Sequence, residues 1–149
     1  MLDGVTPVAT LVVRHDDVTV ADLPTLFDAD YPRVAEAATD ADLPLVGPAL
    51  ACFRGDLTGR FAIEIGFPVV AAANAGAGIE SSHLPGGRVA VLTHTGPYDQ
   101  LPEAWGRLMA FLAEQGVEPA EPCGEVYVTD PTPSTDPATL RTDLFIALR

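Results

Sequence analysis

Apolar and polar positions run along this chain in one order that occurs twice. From the N-terminus, Val8 to His15 reads as a strand and a helical region begins at about Asp22. Two more apolar stretches follow, Gly47 to Arg54 and Phe61 to Val69. Small, turn-prone residues then fill 71–78, with a short strand pattern from Ile79 to Leu84 and a turn at Pro85-Gly86-Gly87. The order recurs after that as strand Arg88 to His94, turn Thr95 to Asp99, a helix ending near Gly116, and strands Gly124 to Val128 and Arg141 to Leu148. Two copies at a period of roughly 75 residues predict a duplication inside one domain, since a solenoid needs several shorter repeats. The expected fold is α+β: a duplicated strand-helix-strand-strand unit forming one antiparallel sheet, with two main helices on one face and a ligand cleft between the repeats. A single domain, 1–149, then comprises repeat one at 7–70, a connector at 71–85 and repeat two at 86–149.

Within repeat two, Leu101, Trp105, Leu108 and Leu112, with Met109 beside them, make one apolar stripe, so this helix packs on a sheet and Trp105 reads as core. Asp99 is the expected N-cap, Pro102 fits the first turn and Gly116 fits a left-handed stop. In the first helix Pro24 also suits a first turn, whereas Pro32 predicts a bend near Tyr31. Residues Thr129 to Thr139 read as an exposed loop between strands. Alternation sends Glu125 and Tyr127 to one face of their strand and Val126 and Val128 to the other. The valines are expected under the helices, leaving Glu125 and Tyr127 facing away from them. Setting Pro48 against Pro122 places Phe53 opposite Tyr127 and Ala51 opposite Glu125, so only the second copy carries a carboxylate there.

Composition narrows the classes of function. At 149 residues the chain can bury a sizeable core without staples, and Cys52 and Cys123 have no Cys or His spacing around them that suits zinc. No metal or cofactor is expected. Hydrophobic residues make up 48% of the chain, but no apolar run reaches the ~20 residues of a membrane span and the first residues lack a leader pattern. The expectation is a cytoplasmic protein. Acidic side chains number 21 against 8 basic ones, giving a formal charge of -13. That balance, with its scattered arginines, disfavours direct contact with nucleic acid or anionic membranes and favours cationic ligands.

The segments Thr93-His94-Thr95-Gly96-Pro97-Tyr98, Pro122 through Glu125-Val126-Tyr127 and Thr129-Asp130-Pro131, with Gly47-Pro48 through Phe53 and Ile63 to Val69, resemble the GyrI-like effector-binding domain family across nearly the whole chain. Two departures are Ala147, where the family often has Pro, and Phe53, where the first copy often has Tyr. The family includes the ligand-sensing halves of AraC-type and MerR-type multidrug regulators, proteins linked to gyrase inhibition, and hydrolases of strained cyclopropane rings. The resemblance implies that Glu125 lies at the floor of an aromatic pocket and faces the ligand, often a lipophilic cation. On its own a strand glutamate is a solvent-facing residue or an arginine partner. Burial would raise its pKa and a ligand cation would offset part of that cost, with cation–π attraction from aromatic faces. Tyr127 should line the same pocket, with Phe53, Tyr98, Trp105 and Phe145 as weaker candidates. His94 and His15 read as strand-end residues and His83 as surface.

Three functions follow in order. The first is a small-molecule-binding protein, a sensor or sequestering protein for amphipathic xenobiotics, cations among them, expected to be free-standing because the residues before Val8 are too few for a helix-turn-helix. The second is a metal-free hydrolase of strained or toxic small molecules, with Glu125 and Tyr127 as catalytic residues. The third is a protein-interaction role such as gyrase modulation, in which the acidic surface meets a basic groove.

Overall fold

The computed structural model describes residues 2–5, 7–55, 59–70, 78–129 and 136–149. Most of the connector at 71–78 and the centre of the Thr129 to Thr139 loop lie outside the described residues. Ten elements follow in chain order: β1 (Leu2–Val5), β2 (Val8–Val18), α1 (Leu23–Asp40), β3 (Leu50–Gly55), β4 (Phe61–Pro68), β5 (Ile79–Leu84), β6 (Gly87–Thr95), α2 (Leu101–Glu114), β7 (Pro119–Tyr127) and β8 (Arg141–Leu148). The eight strands form one antiparallel sheet in the order β1-β6-β8-β7-β3-β4-β2-β5. Repeat one supplies β2-α1-β3-β4 and repeat two supplies β6-α2-β7-β8, as the sequence pattern predicts. The four-residue β1, which pairs with β6, is an addition that hydrophobic patterning did not reveal.

The two halves meet at β3 and β7, where Ala51 is the direct partner of Glu125. These two residues hold the same position in the two repeats, so the internal two-fold relation passes between them. The glutamate therefore stands at the centre of the sheet, opposite the smallest side chain that a strand normally carries.

Both helices pack on one face. In α2 the buried residues are Leu101, Ala104, Leu108 and Leu112, which cover Ala90, Leu144 and Ile146. Each leucine buried in this way contributes about 1.5–3 kcal/mol. A 3-10 turn at Tyr98–Gln100 precedes the helix, so its N-cap is Gln100 in place of the expected Asp99. Gly116 takes the left-handed conformation expected of it, with φ 64°. Helix α1 runs unbroken through Pro32, with Pro24 in its first turn and Val34 and Ala38 buried against Leu11, Val13 and Ile79. At its start, Asp22 accepts from the Thr19 backbone N–H at 2.9 Å, which satisfies a donor that the helix leaves open. The buried carboxylate of Asp30 meets His15 Nε2 at 2.5 Å and ties the helix to the end of β2.

The other face is enclosed by curvature. Strand β5 ends one edge of the sheet and β6 lies six strands away, a distance of about 29 Å on a flat sheet. Only Pro85 and Gly86 join them, and that link lets Leu84 and Gly87 lie no more than ~11 Å apart. The sheet must roll to satisfy both, and Cys52, Val89 and Phe145 fill the inside of the roll with Leu84 and Val126. Two glycines permit the close approach of strands. A Cβ at Gly66 would stand 1.9 Å from the Leu11 carbonyl oxygen, and one at Gly124 would meet the Ala51 carbonyl oxygen at 2.3 Å and Phe145 Cζ at 2.5 Å.

Gly124→Ala is therefore expected to destabilise the fold by about 1–3 kcal/mol through overpacking, measured by urea denaturation. Combined with Phe145→Leu, the loss should be less than the sum of the two single losses, because the leucine removes one of the two clashes.

Candidate ligand-binding site

Side-chain alternation on β7 places Cys123, Glu125 and Tyr127 together, but on the face opposite to the one expected. Cys123 and Tyr127 pack with the helix-side clusters, and Trp105 of α2 reaches Glu125. Val126 turns into the roll. On the helix side a gap remains at the junction of the repeats, lined by residues of both. Glu125 and Tyr127 fill the bottom of that gap.

The gap is a cleft of about 640 Å³. Repeat one lines it with Phe27, Asp28 and Tyr31 from α1, Pro48 and Ala49 at the approach to β3, and Phe67 from β4. Repeat two contributes Tyr98, Leu101, Glu125, Tyr127, Val128 and Thr129. Five aromatic rings form a continuous wall. Tyr98 meets Tyr127 at 5.9 Å between centroids, Tyr127 meets Phe27 at 6.0 Å, Phe27 meets Tyr31 at 5.5 Å, and Tyr31 meets Phe67 at 5.6 Å. The spacing of α1 explains half of this wall, since Phe27 and Tyr31 lie four residues apart on one helix face. The Tyr31 hydroxyl donates to the Leu50 carbonyl at 2.9 Å, so the ring is fixed to β3.

Glu125 is 9% exposed. Its Oε1 accepts from the Tyr127 hydroxyl at 3.0 Å and its Oε2 accepts from the Trp105 indole N–H at 3.3 Å. Burial pushes its pKa up, and the two donors, Trp105 then Tyr127, hold part of that rise back. The same desolvation, together with the nearby Glu125 charge, raises the phenols of Tyr31 and Tyr127, which remain neutral donors. Among the described residues of the lining, Asp28 and Glu125 are the only ionisable groups apart from the tyrosines, and both are acidic. Chemically, the aromatic rings can cover an apolar body while the buried carboxylate can pair with a positive charge or share a proton.

The expected site residues fall into three groups. Glu125, Tyr127 and Tyr98 line the cleft, and Trp105 is half-buried behind the carboxylate, where it serves as hydrogen-bond donor as well as core. Phe53 lies deeper, buried with Phe61 and Ile63, and its ring does not reach the cleft lining. Phe145 stands on the opposite face inside the roll, because β8 directs it away from Leu144 and the helices. Sequence reasoning passed over Phe27, Tyr31, Phe67 and Asp28. The i, i+4 aromatic pair Phe27 and Tyr31 on α1 is the signal that the sequence carries for this wall. His94 holds the Pro97 carbonyl through Nε2 at 3.2 Å, and His83 is exposed, in keeping with strand-end and surface roles.

Burial makes Cys52 and Cys123 poor thiolates, pushed up to about 12 and about 11. Among the described residues no cluster of His, Cys, Asp or Glu suits a metal ion, and no helix is long and apolar enough to cross a membrane.

The elevated Glu125 pKa makes stability depend on pH. The folded protein keeps the Glu125 proton at pH values where the unfolded chain has lost it, so stability falls as pH rises from the ordinary glutamate range towards the elevated value. Glutamine fits the same contacts, with its oxygen accepting from Trp105 and its amide donating to the Tyr127 oxygen. Glu125→Gln is therefore expected to melt a few degrees higher than the parent at pH 8, with the gap closing towards pH 4 in thermal scans.

The fold is shared by known proteins. The C-terminal domain of EcmrR superposes with a TM-score of 0.79 at 17% identity, covering 100% of this chain and 99% of that one. SAV2435 bound to tetraphenylphosphonium gives 0.65 at 12% identity, covering 100% and 94%. A hydrolase from Listeria innocua gives 0.62 at 12% identity, covering 97% and 89%. At these identities the likeness is one of fold. No curated protein matches the chain significantly. The model of the GyrI-like small molecule binding domain matches residues 17–149, and the chain belongs to the GyrI-like family.

Proposed function

We propose that this domain is a receptor for amphipathic small-molecule cations, serving to sense or sequester them. The carrying observation is Glu125, a carboxylate buried at the floor of an aromatic cleft with a raised pKa and only two neutral donors. A cation entering the cleft meets the charge that the protein alone stabilises poorly, and its apolar body meets Phe27, Tyr31, Phe67, Tyr98 and Tyr127. The fold likeness to SAV2435 with tetraphenylphosphonium supports the same class of ligand for this cleft.

A hydrolytic reading is second. It is favoured by the hydrogen-bonded Glu125–Tyr127 pair and by the fold likeness to a Listeria innocua hydrolase. A carboxyl with a raised pKa can act as general acid or base. In that role Glu125 would protonate the carbon or oxygen leaving a strained ring and then accept a proton from the attacking water, while the Tyr127 hydroxyl holds the carboxyl in place.

Calorimetry with tetraphenylphosphonium should show saturable binding to the parent. Glu125→Gln should weaken it by about 1–3 kcal/mol, the range for losing a charge-assisted contact. Equal affinity in the two proteins would remove Glu125 from the site. With a cyclopropane-bearing alkylator, recovery of unchanged compound by mass spectrometry is the expected result. A ring-opened product carrying one added water, formed by the parent and not by Glu125→Gln, would establish turnover.

A further inference from the structure

The cleft carries two carboxylates, one from each repeat. Glu125 lies buried at its floor on β7, whereas Asp28 is exposed at its mouth on α1. They are linked through the aromatic wall, because Asp28 follows Phe27, whose ring meets Tyr127, whose hydroxyl holds Glu125. No arginine lines the cleft, and among the described residues Asp28 pairs with no cation. A ligand with one charged end satisfies Glu125 and leaves Asp28 to water. A ligand with a second charged end, carried beyond the aromatic wall, meets Asp28 as well.

We infer that the cleft selects two-headed cations, with an apolar body between a cationic group at Glu125 and a second cationic group at the Asp28 mouth. This rests on the cation-receptor reading above and adds a selectivity that a single buried glutamate does not supply. The two carboxylates contribute differently. Glu125 acts in a low-dielectric site and supplies the larger share of the charge attraction, whereas Asp28 is solvated and adds a smaller, salt-sensitive increment. Asp28 is thus a specificity-determining residue at the rim of the site.

The test uses matched probes: phenylalkyl-trimethylammonium ions and their bis-quaternary counterparts with the same aryl body and a graded spacer. Binding is read through the fluorescence of Trp105, the single tryptophan, which lies against Glu125. At low salt the best bis-quaternary probe is expected to bind the parent about fivefold tighter than its monocation, beyond the roughly twofold statistical gain from two equivalent ends. One spacer length should be optimal, and the advantage should shrink in 0.5 M salt (about a 4 Å Debye length). Asp28→Asn should bring the ratio down to about two. Asp40→Asn, which removes an exposed charge from the end of the same helix outside the cleft, should leave the ratio as in the parent.

A ratio at or below two in the parent overturns the inference, as does equal loss in Asp28→Asn and Asp40→Asn, which would assign the effect to overall charge. Binding of monocations with no bis-quaternary advantage defeats this inference alone. Failure of every cation to bind the parent defeats the cation-receptor reading and takes this selectivity with it.

Discussion

Burying Glu125 among aromatic rings costs desolvation energy that two neutral hydrogen bonds offset only in part, and the site depends on the packing that holds the residue there against that cost. A fold built for stability alone would place an apolar residue at this position, as repeat one does with Ala51. Close packing surrounds the residue. Trp105 of α2 packs against the core beneath that helix, Tyr127 is wedged between Phe27 and Tyr98, and the neighbouring strands approach closely at Gly124, against Ala51 and Phe145. The carboxylate is largely shielded from solvent, and among the described residues it pairs with no arginine. On the proposed function, a cation in the cleft would offset part of that cost.

Duplication followed by divergence supplies the geometry. Two similar halves joined through β3 and β7 create a central seam, and the helices of each half leave that seam uncovered on one side. Repeat two then places Glu125 and Tyr127 where repeat one has Ala51 and Phe53. The small alanine leaves room for the carboxylate, and Phe53 supports the floor from within the core. Repeat one contributes the opposite wall through Phe27 and Tyr31. The site is thus shared by two units that no longer carry the same chemistry.

Much of this was legible in the sequence. The order of elements, the duplication and the stripe of α2 all follow from periodicity, because burial on one face of a helix or strand imposes a repeat on the residues themselves. The choice of Glu125 came from combining the repeat alignment with the family resemblance. The face of β7 was not legible, since alternation states which residues share a side but not which side the helices take. Val126 and Val128 looked like core residues, yet the roll of the sheet gave Val126 an apolar interior of its own and left the gap between the helices for Glu125. That roll follows from the two-residue link between β5 and β6, a long-range closure with no local pattern. Phe145 was misplaced for the same reason.

The most direct measurement is the ionisation of the Glu125 side chain itself, followed by NMR of the carboxyl carbon through a pH titration, in the free protein and with tetraphenylphosphonium bound. The account predicts a pKa above the ordinary glutamate range in the free protein and a clear fall when the cation is present. An ordinary value in the free protein, or one that binding leaves unchanged, would contradict it.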